Sequence, residues 1–387
     1  MSSEDDASLD GAFDGDRTLL RTVTLARRPR AGEPGWVHTL VVVQGEEPGR
    51  RVLVESTPVS FGRREGSTVV LNDAQVSGRH CVVERAPGTD ALRVTDLGST
   101  NGTFVAKRRV QPAAMLPPGA LIQIGQHLLR HEFTPPQAAS AALELDRDLD
   151  RASGYVQSLL PPPIDSPELQ IDWLLKPCAR LGGDAFGYRA LDDEHFVGYL
   201  IDVSGHGAGA AMHSVSVMNM LRHGALAQTD LREPAQVLRA LNEAFQMDSH
   251  AGLYFTLWYG VHHRGRRQLA YASAGHHPSY LRSPGTDVLV PLQTRNPFIG
   301  MLPGIEFAAD VVDVPPGSRL YAFSDGMFEI TSHDGSPHGL QEFLPLITEA
   351  PTDATGEPDR LFRRVCERSR PGPLDDDCSI LTVTFLS

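Results

Sequence analysis

Between Val37 and Phe133 the chain reads as short apolar runs broken by turn residues. HTLVVVQG, RVLVES, STVVLND, HCVVERA, ALRVTDLG, GTFVAK and ALIQIG are the clearest of these runs. Many short strands separated by Gly, Pro, Asn and Asp predict an all-β sandwich. TPPQAAS then reads as a linker. After it, AALELDRDLDRASGYVQSLLP carries leucines at 143, 145, 149, 159 and 160 among many charges. That spacing predicts an amphipathic helix over 141–160, stopped by Pro161, Pro162 and Pro163. Its apolar side suits pairing with a second copy of the chain (a homodimer) or packing on its own domain, and both readings stay open.

From Leu169 onward strands and helices mix. LQIDWLLKP, HFVGYLIDV, YFTLWYGVH, QLAYASAG, RLYAFSDG and CSILTVTFL predict strands. AGAAMHSVSVMNMLRHGAL and PAQVLRALNEAFQM predict helices. The order is not a steady strand–helix alternation. It points to packed antiparallel sheets covered by helices, an α+β arrangement, rather than a doubly wound parallel sheet. With 387 residues, two domains are expected. The expected division is an acidic, largely disordered segment 1–36, a β domain 37–134, a linker and helix 135–165, and an α+β domain 166–387.

The net charge of −13 argues against a nucleic-acid partner, because phosphate backbones reward Lys and Arg. The basic stretches at Arg27, Arg28 and Arg30 and at Lys107, Arg108 and Arg109 are short and read as solvated faces. Cys81, Cys178, Cys366 and Cys378 are scattered, with no CxxC pair. Their spacing matches neither a disulfide framework nor a zinc site. No run is long enough to span a bilayer, and the acidic start lacks the form of a signal peptide. A cytoplasmic protein with no membrane partner is the expectation.

The chemistry lies in four acidic places in the second half. Asp184 sits in LGGDAFGY, Asp202 in FVGYLIDVSGHG, Asp325 in LYAFSDGM, and Asp375, Asp376 and Asp377 precede CSILTVTF. Taken singly, an Asp-Gly is a turn and an acidic triplet a solvated loop. Together they lie where apolar runs end, so the acids can converge from distant parts of the chain. Converging carboxylates repel one another unless a cation neutralises them. Oxygen donors of this hardness suit Mg²⁺ or Mn²⁺. Val203 can add its carbonyl, and the loop before the helix near Ala210 is rich in glycine. His206 in that loop reads as a cap or loop residue, with a general acid as the sharper alternative.

In the β domain, FGRR, VSGRHCVV and DLGSTNGTFV place polar donors in loops between strands. Arg63 offers a bidentate guanidinium, Ser77 a hydroxyl and Arg79 a second cation. Asn101, in an Asn-Gly turn, offers an amide to a peptide backbone. Such groups suit capture of a phosphorylated peptide.

These motifs, GR, SGRH and GSTNGTF, resemble the forkhead-associated (FHA) domain over about residues 38–134. The resemblance implies a phosphothreonine-binding β-sandwich. By position, Arg63 and Ser77 would contact phosphate and Asn101 the ligand backbone, with Gly62 and His80 structural. The chain departs from the pattern at Gly78, where the family often has a basic or polar residue. Arg79 is then a substitute contact.

The order GGD, DVSGHG, SAGHHP, SDG and DD before a terminal strand resembles bacterial metal-dependent phosphatases of the SpoIIE/RsbU type, relatives of the type-2C enzymes, over about residues 140–387. That resemblance implies an α-β-β-α sandwich, two Mn²⁺ or Mg²⁺ ions, and hydrolysis of phosphoserine or phosphothreonine by metal-activated water. By position, Asp184, Asp202, Asp325 and Asp376 would act in catalysis as ligands, with Asp377 next and Val203 giving its carbonyl. The implied substrate is a phosphoprotein such as an anti-sigma-factor antagonist, with a serine/threonine kinase opposing the enzyme. Gly187 stands where the family often has a second aspartate, and His276-His277 replaces a His-Asn pair, with His276 read as structural. Arg180 is a candidate for the substrate phosphate. The alternatives are a non-enzymatic phosphopeptide-binding scaffold with a degenerate catalytic domain, and a nuclease or nucleotide hydrolase using the same acids.

Overall fold

The computed structural model describes residues 35–45, 49–250, 252–350, 355–370 and 375–386. Residues 1–34 of the acidic segment expected over 1–36, and the basic stretch within it, lie outside the described residues.

Eleven strands come first: β1 (Val37–Gln44), β2 (Arg51–Val54), β3 (Val59–Gly62), β4 (Val69–Val70), β5 (Cys81–Arg85), β6 (Leu92–Asp96), β7 (Thr103–Val105), β8 (Arg108–Arg109), β9 (Ala113–Leu116), β10 (Leu121–Ile124) and β11 (His127–Thr134). They form two sheets, ordered β2-β1-β11-β10-β7-β8 and β4-β3-β5-β6-β9. Side chains of both, among them Leu40, Phe61, Val83, Leu92, Ile122 and Leu129, meet in one buried core. One face of each sheet is wet, so buried and exposed residues alternate, as along β10.

Helix α1 (Pro136–Leu159) follows directly. It starts five residues earlier than the leucine spacing predicts, inside the segment read as a linker. Pro136 explains this, because proline needs no N–H in the first helical turn. Its apolar side is only partly covered. Leu145 is 60% and Tyr155 59% exposed, whereas the buried positions are Ala139 and Asp146.

The rest of the chain builds two further sheets. One contains β12 (Ile164–Asp165), β13 (Leu169–Lys176), β18 (Ser279–Arg282), β19 (Leu289–Leu292), β21 (Ser318–Phe323) and β22 (Cys378–Phe385), ordered β12-β13-β22-β21-β18-β19. The other is β14 (Ala185–Ala190), β15 (His195–Val203), β16 (Phe255–His263), β17 (Gln268–Ala274) and β20 (Asp310–Asp313), in that order. Phe186, Leu200, Trp258, Leu320 and Leu381 fill the space between the sheets. Helices α2 (Ala208–His223) and α3 (Pro234–Ala244) cover the outer face of the β14–β17 sheet through Val217, Leu221, Leu238 and Leu241. Helices α4 (Leu340–Thr348) and α5 (Glu357–Arg368) cover the other through Phe343, Leu346, Leu361 and Val365. The layers run α-β-β-α, as expected. Both faces of each central strand are dry, so β15 and β22 read as near-continuous apolar runs even though every pairing is antiparallel.

Candidate functional site

The four acidic places come together at one end of the second sandwich. Asp184 immediately precedes β14, and Asp202 and Val203 end the neighbouring β15. Asp325 follows β21, and Asp376 and Asp377 precede its neighbour β22. The two pairs of strands belong to opposite sheets, so the loops of both sheets close over one spot.

Three glycines permit the closure. A Cβ at Gly183 would come within 2.7 Å of the Val203 carbonyl oxygen. One at Gly182 would collide with the Asp377 carboxylate, and one at Gly326 with the Asp377 carbonyl. Backbone approach this close is open only to glycine. The loop is then tied by Asp377 itself. Its Oδ2 accepts the Gly183 N–H at 2.6 Å and its Oδ1 the Cys178 N–H at 2.8 Å. The Ser324 hydroxyl donates to the Asp377 carbonyl at 3.0 Å and accepts the Ser379 N–H at 2.9 Å. These bonds join the ends of β13, β21 and β22 to the Asp184 loop.

Crowding leaves a distinct electrostatic signature. Asp184 is 4% exposed, and burial, with Asp202 and Asp377 beside it, holds its carboxyl well above the usual range. The Ser324 and Ser379 hydroxyls lie near enough to offset part of this, yet neither closes a hydrogen bond on Oδ2, which is buried without a partner. Burial and the charges of Asp325, Asp376 and Asp377 push Asp202 up to about 7. Burial and Asp376 push Asp325 up to about 6. Asp376 is raised by burial and by Asp377, while exposed His206 offsets part of the rise. Each acid feels the charge of at least one other. Among the described residues the group of three or more whose ligand atoms all lie within 4.8 Å of one another is Cys178, Asp376 and Asp377, and Asp184, Asp202 and Asp325 fall outside it.

Sequence reasoning missed Cys178. Its thiol lies with Asp376 and Asp377 in a group whose ligand atoms are all within 4.8 Å of one another. Burial and the neighbouring carboxylates push it up to about 12, so it is a neutral thiol. No motif marks it. Arg180, a candidate for substrate phosphate, is corrected by the structure. Its guanidinium turns toward α1, donating to the Asp146 carbonyl at 3.1 Å and pairing with the Asp150 carboxylate. An arginine satisfied in this way is not presented to a ligand. His276 is buried, with Nδ1 2.8 Å from the His277 carbonyl, and burial takes it down to about 4.

In the first sandwich the singled-out residues share the loops at one end. The Arg63 and Arg64 N–H groups donate to the Ser77 and Gly78 carbonyls at 3.0 and 3.2 Å, zipping the β3–β4 loop to the segment before β5. His80 is fully buried; its Nδ1 accepts the Ser77 N–H at 3.0 Å, so Nε2 carries the proton toward the Gly102 carbonyl at 3.2 Å. Ser77 Oγ accepts the Thr100 N–H at 3.0 Å. Asn101 Nδ2 donates to the Gln75 carbonyl at 2.8 Å, so part of its amide is already used within the chain. Arg63, Arg79 and Asn101 are exposed.

The family model for stage II sporulation protein E (SpoIIE) matches residues 192–386, half of the chain. The chain belongs to the SpoIIE family. The FHA domain model matches residues 59–125 ahead of the SpoIIE region. Phosphoserine phosphatase RsbP of Bacillus subtilis (strain 168) is 29% identical over 195 residues, 49% of this chain and 47% of that protein. FHA domain-containing protein FhaB of Mycolicibacterium smegmatis is 39% identical over 90 residues, 23% of this chain and 57% of that protein. The chain thus spans about half the length of the curated relatives it matches. The SiaA-PP2C domain of Pseudomonas aeruginosa superposes with a TM-score of 0.53 at 23% identity, covering 64% of this chain and 99% of that one, a likeness of fold. Asp202, Asp325, Asp376 and Asp377 lie within the matched residues and Asp184 just ahead of them, all at the loop end of an α-β-β-α sandwich. Among the described residues, no helix is long and apolar enough to cross a membrane.

Proposed function

We propose that the chain is a metal-dependent protein serine/threonine phosphatase whose substrate is a phosphoprotein, with an FHA domain that reads phosphothreonine. The observation that carries the first part is the buried Asp184 Oδ2, unpartnered among acids whose protons are held abnormally tightly. A buried carboxyl oxygen without a donor, with the charges of Asp202 and Asp377 beside it, suits a divalent cation. In this reading Asp184, Asp202, Asp325 and Asp376, with the Val203 carbonyl, hold two ions, Mn²⁺ or Mg²⁺. Asp377 gives both oxygens to backbone N–H groups, so its main part is to hold the Asp184 loop in place. Ions in this cradle would cancel the repulsion, activate water and polarise the phosphoryl group. The neutral Cys178 thiol makes a covalent phosphocysteine route unattractive.

The similarity to phosphoserine phosphatase RsbP supports a phosphoserine or phosphothreonine protein as substrate. An anti-sigma-factor antagonist, phosphorylated by an opposing kinase in the cytoplasm, is the specific form we propose. In the FHA domain, Arg63, Ser77, Arg79 and Asn101 form the phosphothreonine contact, each on a loop fixed by the hydrogen bonds above. The test is hydrolysis of phosphoserine and phosphothreonine peptides with Mn²⁺, with EDTA, and with the Asp202→Asn variant. Turnover that needs the metal and Asp202 supports the reading. Peptide binding without turnover would support the scaffold instead.

A further inference from the structure

The FHA domain lacks a side chain at Gly78, directly after the serine of its phosphate-reading loop. The structure shows what fills that space. A Cβ at Gly78 would lie 2.7 Å from Arg64 Nε, 2.9 Å from Arg64 Cδ and 3.0 Å from Arg64 Cγ. The stem of Arg64 therefore lies across Gly78, with its guanidinium starting where a residue-78 side chain would run. The backbone register produces this. Arg63 N–H bonds to Ser77 and Arg64 N–H to Gly78, so each arginine stands beside one residue of the serine loop.

Gly78 is not left-handed, so its backbone does not require glycine. What excludes a side chain there is Arg64. The Arg64 side chain has no hydrogen-bond or ion-pair partner among the described residues, and neither do those of Arg63 and Arg79. Arg93 and Arg130 of the same sandwich, by contrast, are paired with Glu84 and Glu132. Arg64 is exposed and, with Ser60, Glu65, Ser67, Arg79 and Leu97, lines an open groove of about 290 Å³. Its fork has room to meet an anion.

We infer that Arg64 supplies the second phosphate-binding cation of the FHA domain, taking the place of the basic or polar side chain missing at Gly78. The inference rests on the phosphothreonine reading of the domain. Two consecutive arginines then grip one phosphate, and an Arg–phosphate contact is bidentate and charge-assisted. Arg79, one residue further on, lines the same groove and stays beside them in the phosphothreonine contact.

The experiment uses the full chain and the tightest member of a phosphothreonine peptide array, with its unphosphorylated twin, read by fluorescence anisotropy. Arg64→Ala should weaken phosphopeptide binding by about tenfold or more, the span expected when a charged hydrogen bond is lost. Its melting temperature should not move, because the side chain is exposed. The double variant Arg64→Ala with Gly78→Lys should recover most of the loss, since removing Arg64 opens the space that a residue-78 side chain needs. If Arg64→Ala binds within about twofold of wild type, or if the double variant recovers nothing, the inference is overturned while the FHA reading stands. If wild type fails to distinguish the phosphopeptide from its twin, the FHA reading itself fails.

Discussion

The two sandwiches solve opposite problems at their loop ends. The FHA site keeps its charges in water: Arg63, Arg64 and Arg79 are exposed and without ion pairs among the described residues. The SpoIIE site buries part of its charge: Asp184 and Asp377 are 4% and 3% exposed, while Asp202 and Asp325 are half-buried and Asp376 is exposed. A solvated guanidinium costs nothing to hold without its ligand. A buried carboxylate among carboxylates is held at the expense of stability until something positive enters. The ligand-free FHA site should therefore be indifferent to losing a charge, whereas the metal-free SpoIIE site should gain stability when Asp202, whose carboxyl is pushed up to about 7, is neutralised.

Asp202→Asn breaks or sharpens this contrast most. Loss of a cation-holding carboxylate should lower Mn²⁺-dependent hydrolysis of p-nitrophenyl phosphate by about 10³-fold or more, several kcal/mol of barrier. In EDTA at pH 8 the same variant should melt above wild type, because a carboxyl pushed up to about 7 no longer has to ionise in place. Arg63→Ala, by contrast, should abolish phosphothreonine binding and leave stability within about 0.5 kcal/mol. Wild-type turnover by Asp202→Asn would end the assignment of the acids.

The next effect separates two adjacent residues. Asp377→Ala removes the acceptor for the Cys178 and Gly183 amides, leaving donors unpaired in a buried loop. It should cost about 2–5 kcal/mol in chemical denaturation. Asp376→Asn makes no such break and should reduce activity with little loss of stability. Equal stability losses at both positions would mean that the division between clamp and ligand is misplaced.

A smaller and graded effect is expected from pH. Asp202 and Asp325 have folded values of about 7 and about 6, above the ordinary aspartate value, so the folded chain holds protons that the unfolded chain has released. Metal-free stability is therefore highest below pH 4 as far as these groups decide it. It falls as pH rises through 6 and 7. Scanning the SpoIIE transition in EDTA from pH 5 to 8 should show a falling melting temperature, and saturating Mg²⁺ should flatten the slope. A slope unchanged by metal would separate these acids from the cation.

How far the sequence reached differs between the two regions for the same reason that their sites differ. The FHA determinants lie within Arg63–Asn101, on loops whose motifs are contiguous, so spacing alone brings them together. The SpoIIE acids are up to 193 residues apart, as Asp184 and Asp377 are. Apolar runs ending in Asp showed where each acid stands on its strand, but not that β14–β15 and β21–β22 would face each other. What escaped were contacts carried by groups with no pattern: the Cys178 thiol, the Gly182 and Gly326 approaches, and the turn of Arg180 toward α1. Helices α4 and α5 were also missed. Both are amphipathic, but α4 is short and carries Pro345, and α5 begins in a Pro-containing, highly charged stretch, which hid their apolar faces.

Asp146 joins the two regions. It is buried on α1, accepts Arg51 of β2 at 3.1 and 3.2 Å, and lies 3.7 Å from Arg180. Arg180 precedes the Gly182–Gly183–Asp184 turn by one residue, so one carboxylate spans the FHA sheet and the loop that carries an acid of the other site. Partly buried pairs of this kind contribute about 1 kcal/mol each. Arg51→Ala should therefore cost about 1 kcal/mol. Asp146→Ala frees Arg180 as well, and should weaken Mn²⁺ activation by a few-fold while leaving p-nitrophenyl phosphate turnover at saturating metal unchanged. If Asp146→Ala alters the SpoIIE melting transition but not the metal titration, α1 only props the two sandwiches apart. A shifted titration would mean that FHA occupancy has a physical route to the acids through a single helix.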